Sequence, residues 1–254
     1  MNIKGQAALV TGGASGMGAD VGRMLIEAGA RVTLLDMNQA GLRESADAIG
    51  CNFQVCDVSD AASAERAIES AACENDAARI LVNCAGIAPA QRIVGRDGPS
   101  PLENFKRVID INLVGTFNMM RIAAARMMQL EPLDDVGERG VVINTASVAA
   151  FEGQIGQSAY ASSKGGVVSL GIVAAREFAS KGIRVMTIAP GLIGTPMLTG
   201  MPQEVQDSLA SQVPFPSRFG RPDEFSSLVK HICENQMLNG DVMRLDGAIR
   251  MAPR

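Results

Sequence analysis

Histidine and tyrosine are almost missing from this chain of 254 residues: His231 and Tyr160 are the sole examples of each. With no second histidine, and this one on a distant C-terminal helix, a Ser-His-Asp hydrolase has no obvious base. The five cysteines, Cys51, Cys56, Cys73, Cys84 and Cys233, are an odd number with no C-x-x-C pair. Neither a disulfide framework nor a zinc site is suggested, so no metal is expected and a reducing cytoplasm is the simplest location. No uninterrupted apolar run reaches the roughly 18 residues of a membrane span. The residues before the first apolar strand are too few for a signal peptide. A basic excess is lacking as well, since 23 Lys and Arg against 27 Asp and Glu give a net charge of −4. No nucleic-acid or membrane partner is expected, because either would need a basic face. There is no Pro/Ser-rich linker, repeat or low-complexity tract. With 47% hydrophobic residues the chain is read as a single domain over 1–254.

What is present is an alternation of short apolar runs and helical patterns. Runs at 7–10, 31–35, 52–55, 80–82, 141–143, 183–188 and 242–245 read as seven strands with helices between them. That order predicts an α/β fold, a Rossmann-type doubly wound parallel sheet flanked by helices. A long helix is expected over about 102–130 and another from Pro222 to about Glu234. A long loop, of a length that is often functional, is expected over 88–101, and an apolar, mobile substrate lid over about 195–216.

The first strand runs into Thr11-Gly12-Gly13-Ala14-Ser15-Gly16-Met17-Gly18, and a helical pattern follows. Glycines let backbone approach a pyrophosphate, and a helix N-terminus offers free N–H groups. The second strand ends at Asp36. A carboxylate there accepts hydrogen bonds from ribose hydroxyls and repels a 2′-phosphate. No Arg or Lys stands at 37–42 or 12–18 to neutralise one, so NAD is favoured over NADP. Asp57 and Val58 follow the third strand, where an adenine amino group could donate to Asp57. Asn83-Cys84-Ala85-Gly86 follow the fourth, where small residues allow backbone contact with the cofactor.

Ser147, Tyr160 and Lys164 carry the chemistry. Tyr160 and Lys164 are four apart and share one face if helical. A fixed ammonium one turn away is expected to lower the phenol from its usual value of about 10. Ser147 lies where the fifth strand opens into its loop, the edge at which parallel sheets bind ligands. A hydroxyl, a phenol and an ammonium together suit proton transfer at an alcohol or carbonyl oxygen. Y-x-x-x-K also arises by chance on helices, so the surroundings decide. Asn112, an amide within the apolar Ile111-Asn112-Leu113, is either a packing group or part of a proton relay. Gly165, Gly166 and Gly171 suggest that another backbone comes close to their helix.

These residues in this order resemble the short-chain dehydrogenase/reductase family along nearly the whole chain. TGGASGMG is similar to its cofactor loop and Pro190-Gly191 to its P-G motif. Asn112, Ser147, Tyr160 and Lys164 match its catalytic tetrad. NTASVAAFEGQIGQSAY, RVMTIAPGLIGTP, LASQVPFPSR and LDGAIRM are similar to its type 2 3-hydroxyacyl-CoA dehydrogenase branch. That resemblance implies NAD-dependent oxidation of a 3-hydroxyacyl-CoA, side activity on steroids and a homotetramer. It implies cofactor contacts at Gly12, Ser15, Gly16, Met17, Gly18, Asp36, Asp57, Val58, Asn83, Cys84, Ala85, Gly86, Pro190, Gly191, Ile193 and Thr195. Tyr160 would be the base, Lys164 would lower its pKa and bind the nicotinamide ribose, and Ser147 would hold the substrate oxygen. Asn112 would hold a water leading protons to solvent, and Gln154 would line the substrate pocket. Apart from the resemblance, Arg92 and Arg96 on the long loop are candidates to meet CoA phosphates. Rival readings are a steroid or other hydrophobic alcohol dehydrogenase, a 3-oxoacyl thioester reductase, and a scaffold protein that lost the chemistry.

Overall fold

Residues with side chains on alternate faces of each strand set up two cores. Val10, Leu34, Val82, Ile143 and Ile188 point to one side of the sheet, and Leu9, Leu35, Leu81, Val142 and Val185 to the other. Both sets are apolar, so both faces must be covered by helices, as parallel sheets require. The structure, a computed structural model, describes residues 1–253.

In chain order the elements are β1 (Ala7–Thr11), α1 (Gly16–Glu27), β2 (Arg31–Asp36), α2 (Gln39–Ile49), β3 (Asn52–Val55), α3 (Ala61–Asn75) and β4 (Ile80–Asn83). Next come β5 (Val94–Gly95), β6 (Gly98–Pro99), α4 (Leu102–Ile109), a π-helical turn (Asp110–Val114), α5 (Gly115–Met127) and β7 (Gly140–Thr145). Last are α6 (Ser158–Phe178), β8 (Ile183–Pro190), α7 (Pro196–Thr199), α8 (Gln203–Ala210), α9 (Pro222–Glu234) and β9 (Val242–Leu245). Seven strands form one sheet in the order β3-β2-β1-β4-β7-β8-β9, paired parallel throughout. Helices α1, α2 and α9 cover one face, and α3, α5 and α6 the other.

The strand order reverses between β1 and β4. There the connections leave in opposite directions and a crevice opens at the carboxyl ends of the strands. This places the ends of β1, β2, β4, β7 and β8 around one cleft.

Three expectations need correction. The loop over 88–101 carries a small antiparallel hairpin, with Val94 opposite Pro99 and Gly95 opposite Gly98. The long helix is interrupted: at 110–114 it widens to a π turn closed by the Gly115 N–H to Asp110 O. Such bulges re-aim side chains, and this one centres on Asn112. Two of the α6 glycines admit side chains rather than another backbone, while the nearest neighbour of a Cβ on Gly165 would be the Ala150 main-chain oxygen at 3.9 Å. A Cβ on Gly166 would lie 2.6 Å from Leu113, and one on Gly171 would lie 2.6 Å from the Thr187 hydroxyl. Gly165 has ordinary space. The helical run from Leu102 to Met127 is long and apolar enough to cross a bilayer by length and composition, but 56% of its most apolar window is buried inside the protein.

Candidate active site

The crevice is a cleft of about 500 Å³. Its floor is fixed by Thr11, whose hydroxyl accepts the N–H groups of both Cys84 and Ala85 at 3.1 Å. The glycine loop lies tight against that floor. Gly12 has φ +69, and a Cβ on it would sit 2.8 Å from the Ala85 nitrogen. A Cβ on Gly18 would sit 2.2 Å from the Gly12 oxygen. A side chain at either position would force the loop to shift.

This end of the cleft fits a dinucleotide. Ser15 caps α1, yet its hydroxyl makes no capping hydrogen bond, and the first turn has no acidic residue to compete for an anion. The free N–H groups and the positive end of the helix dipole therefore face the crevice. Asp36 is held by the N–H groups of Ala14 at 3.3 Å and Asn38 at 3.0 Å, one on each oxygen. A carboxylate has about four acceptor positions, so capacity remains for two ribose hydroxyls. Asp57, anchored by the Ser59 N–H at 2.9 Å and hydroxyl at 2.6 Å, lines the same end with Val58. Pro190, Gly191, Ile193 and Thr195 line the opposite wall. The site thus gathers almost every residue expected at the cofactor. Asn83 is the exception: it is buried and its amide donates to Asn144 Oδ1 at 2.9 Å, across β4 and β7. These two asparagines are direct register partners, so both side chains leave the sheet on the same side. The motif meets the cleft through Cys84, Ala85 and Gly86.

At the other end Ser147, Tyr160 and Lys164 line the cleft together. The Ser147 oxygen accepts the Ala149 N–H at 3.1 Å, which orients it and leaves its own proton free to donate. Lys164 is 4% exposed. Its ammonium donates to Thr145 O at 2.7 Å. An ammonium has three donors, so two remain for a ligand. Burial holds its pKa down to about 8. The expected lowering of the phenol by the lysine is not what the free protein has. Loss of solvent pushes Tyr160 above its ordinary value, and the neighbouring Ser147 hydroxyl pulls it partly back. The ammonium lies 5.9 Å from the centre of the phenol ring. Both groups are thus poised in their neutral-favouring direction, and a bound ligand must supply the rest.

Comparison with known proteins decides the family. The family model for short chain dehydrogenase matches residues 6–206. The chain belongs to the short-chain dehydrogenase family. It is therefore an oxidoreductase that uses a nicotinamide cofactor. It is 50% identical to human 3-hydroxyacyl-CoA dehydrogenase type-2 over 99% of this chain and 98% of that protein. It is 46% identical to the Drosophila melanogaster protein of the same name, over 99% of this chain and all of that one. A crystal structure of 3-hydroxyacyl-CoA dehydrogenase type-2 from Mycobacterium avium superposes with a TM-score of 0.94 at 42% identity, covering 98% of both chains.

Within this short-chain dehydrogenase, Asn112 is not at the cleft surface. Its Oδ1 accepts the Ile87 N–H at 2.8 Å, and its Nδ2 donates to Ile87 O at 2.9 Å and Ser163 Oγ at 3.0 Å. Its main-chain oxygen accepts the Thr116 hydroxyl at 2.7 Å. The π turn aims this amide at the loop after β4, where it splints that loop to α6. Through these bonds the side chain acts as a packing amide, and it also borders the lysine: a Cβ on Gly86 would lie 3.1 Å from Asn112 Oδ1 and 3.5 Å from Lys164 Nζ.

Gln154 does not line the cleft either: its amide donates to Ala252 O at 3.0 Å. Gln157, one turn nearer Tyr160, takes the place expected of it. Arg92 and Arg96 are exposed on the segment around the hairpin and are not among the residues lining the cleft. The arginine that does line it is Arg107 of α4. Met37, Ile111, Leu198 and Met251 also line it and were not expected. Ile111, just before Asn112, carried a readable signal; Met251 had none, being far along the chain. The segment over 195–216 holds α7 and α8, with Leu198 facing the cleft and Phe215 outward. No group of metal-ligating residues occurs among the described residues.

Proposed function

We propose that this protein oxidises the secondary alcohol of a 3-hydroxyacyl-CoA to the 3-ketoacyl-CoA with NAD. The convergence of the Ser147 hydroxyl, the Tyr160 phenol and the Lys164 ammonium at one end of a dinucleotide-shaped cleft carries the reading. The Ser147 proton donates to the substrate oxygen and fixes it beside the phenol. Tyr160 takes the alcohol proton in oxidation and returns it in reduction. Lys164 holds positive charge near the phenol and uses its two free N–H groups on the nicotinamide ribose. The cofactor, when bound, supplies the hydride acceptor. NAD rather than NADP is supported by Asp36, whose carboxylate would repel a 2′-phosphate, and by the apolar Met37 beside it in the cleft.

The acyl-CoA assignment is supported by the names of the relatives and by Arg107, a guanidinium on the cleft wall with no ion-pair or hydrogen-bond partner for its side chain among the described residues. A homotetramer in the cytoplasm completes the proposal. Val114 and Phe117 on the long helical run and Ile172 and Val173 on α6 are exposed apolar side chains that self-association would cover. Light scattering tests that assembly. A panel of 3-hydroxyacyl-CoAs, the matching pantetheine thioesters, steroids and free alcohols, followed at the NADH absorbance, tests the reaction. Thioesters of CoA should be preferred, and equal rates with pantetheine thioesters would remove the CoA assignment.

A further inference from the structure

The last residues of the chain are fastened to the loop between Ser147 and Tyr160 by a network that the catalytic residues do not use. At the end of β9, Arg244 lies at its centre. Its guanidinium grips Glu152 with two bonds, at 2.9 and 3.1 Å, and Asp246 with a third at 2.7 Å. It lies 5.4 Å over the Phe151 ring and donates to Ile249 O at 3.1 Å. The chain then turns back through Gly247 and Ala248, both at positive φ, 57° and 67°. For alanine this is a strained backbone, held here by its N–H to Asp246 Oδ1 at 3.0 Å. Beyond the turn, the Met251 N–H meets Glu152 at 3.3 Å. The Gln154 amide reaches Ala252 O at 3.0 Å, and the Ile155 N–H reaches Pro253 O at 3.0 Å.

The loop so clasped joins Ser147 to Tyr160. Tail and loop therefore form one wall, and Met251 is its residue that lines the cleft. Bidentate arginine–carboxylate pairs fix orientation as well as distance. Methionine is an apolar side chain that fills the space left to it.

We propose that Met251 sets the size of the group this enzyme accepts next to the carbinol carbon, and that the Arg244–Glu152 pair positions it. The inference rests on the alcohol-oxidising reading but not on the acyl-CoA assignment. It is tested by kcat/KM with 3-hydroxybutyryl-CoA and 3-hydroxydecanoyl-CoA in the full chain. Met251→Ala should raise the decanoyl-to-butyryl ratio about tenfold, and Met251→Trp should lower it. Glu152→Gln should move the ratio in the same direction as Met251→Ala, by less. A merely structural role would scale both substrates by one factor. An unchanged ratio in both Met251 variants, with melting temperatures near that of the parent, overturns the proposal. Met251→Leu guards against misfolding, since it conserves volume and should keep the ratio near the parent's. Should the parent turn over neither thioester, the acyl-CoA assignment fails alone, and the same ratio is read with 2-butanol and 2-decanol.

Discussion

Replacing Lys164 with methionine should abolish turnover while leaving the cofactor-free protein as stable as before, or more so. Its ammonium is taken from an ordinary 10.5 to about 8 by burial. At roughly 1.4 kcal/mol per pH unit, keeping that charge in the interior at pH 7 costs about 3 kcal/mol. Methionine keeps the apolar stem and removes the charge. It also leaves Thr145 O without the donor now 2.7 Å away, a loss of about 1–3 kcal/mol. The net change at pH 7 therefore runs from nothing to a gain of about 2 kcal/mol. The sign with pH follows from proton binding. Between about 8 and 10.5 the folded lysine holds fewer protons than the unfolded one. Its cost is thus full below pH 8 and is relieved as pH rises through that window.

Buried thiols act in the opposite sense at high pH. Cys56 and Cys84 are held up to about 11 and Cys233 to about 12, so unfolding releases their protons first. The difference between parent and variant is therefore the quantity to measure, not either curve. Urea unfolding of both cofactor-free proteins at steps from about pH 6 to 10 supplies it. The variant's advantage should shrink as pH rises above 8. Parallel curves across that range, or a variant weaker by more than about 1 kcal/mol at pH 7, would show that the ammonium is not buried at the cost argued here.

Tyr160→Phe should keep NAD affinity within a fewfold of the parent and remove nearly all turnover; near-normal rates would refute the proton-transfer role. Asp36→Ala should narrow the preference for NAD over NADP, measured as the ratio of the two kcat/KM values, and an unchanged ratio would refute the ribose contact. Asn112→Ala should lower stability by about 2 kcal/mol even without substrate, because it strips the Ile87 N–H and C=O of their partner. Unchanged denaturant melting would contradict the splint. Glycine-loop crowding gives a further check: Gly18→Ala should weaken cofactor binding in calorimetry, because its Cβ would meet the Gly12 oxygen at 2.2 Å. Parent-like affinity would refute that.

The order of strands and helices was legible because both faces of a parallel sheet must be apolar, and continuous apolar runs such as Ala7 to Val10 state this locally. So were the glycine loop, Asp36, and the spacing of Tyr160 and Lys164, since each depends on neighbours within a few residues. The interrupted long helix was not. A π turn needs the loop after β4 to receive the Asn112 amide, and that loop lies 25 residues away in sequence. Gln154 was misplaced for a similar reason: its partner, Ala252, is 98 residues downstream.

Sequence by itself determined which chemical groups exist and which local elements carry them. Tertiary structure alone decided their ionisation and the shape of the substrate end. The pKa values of Tyr160 and Lys164 are set by how much water the assembled cleft removes, and no pattern of neighbours along the chain encodes that. Likewise Met251 reaches the cleft only because Arg244 draws the chain's end back onto Glu152, a contact between segments that meet only when the sheet is complete.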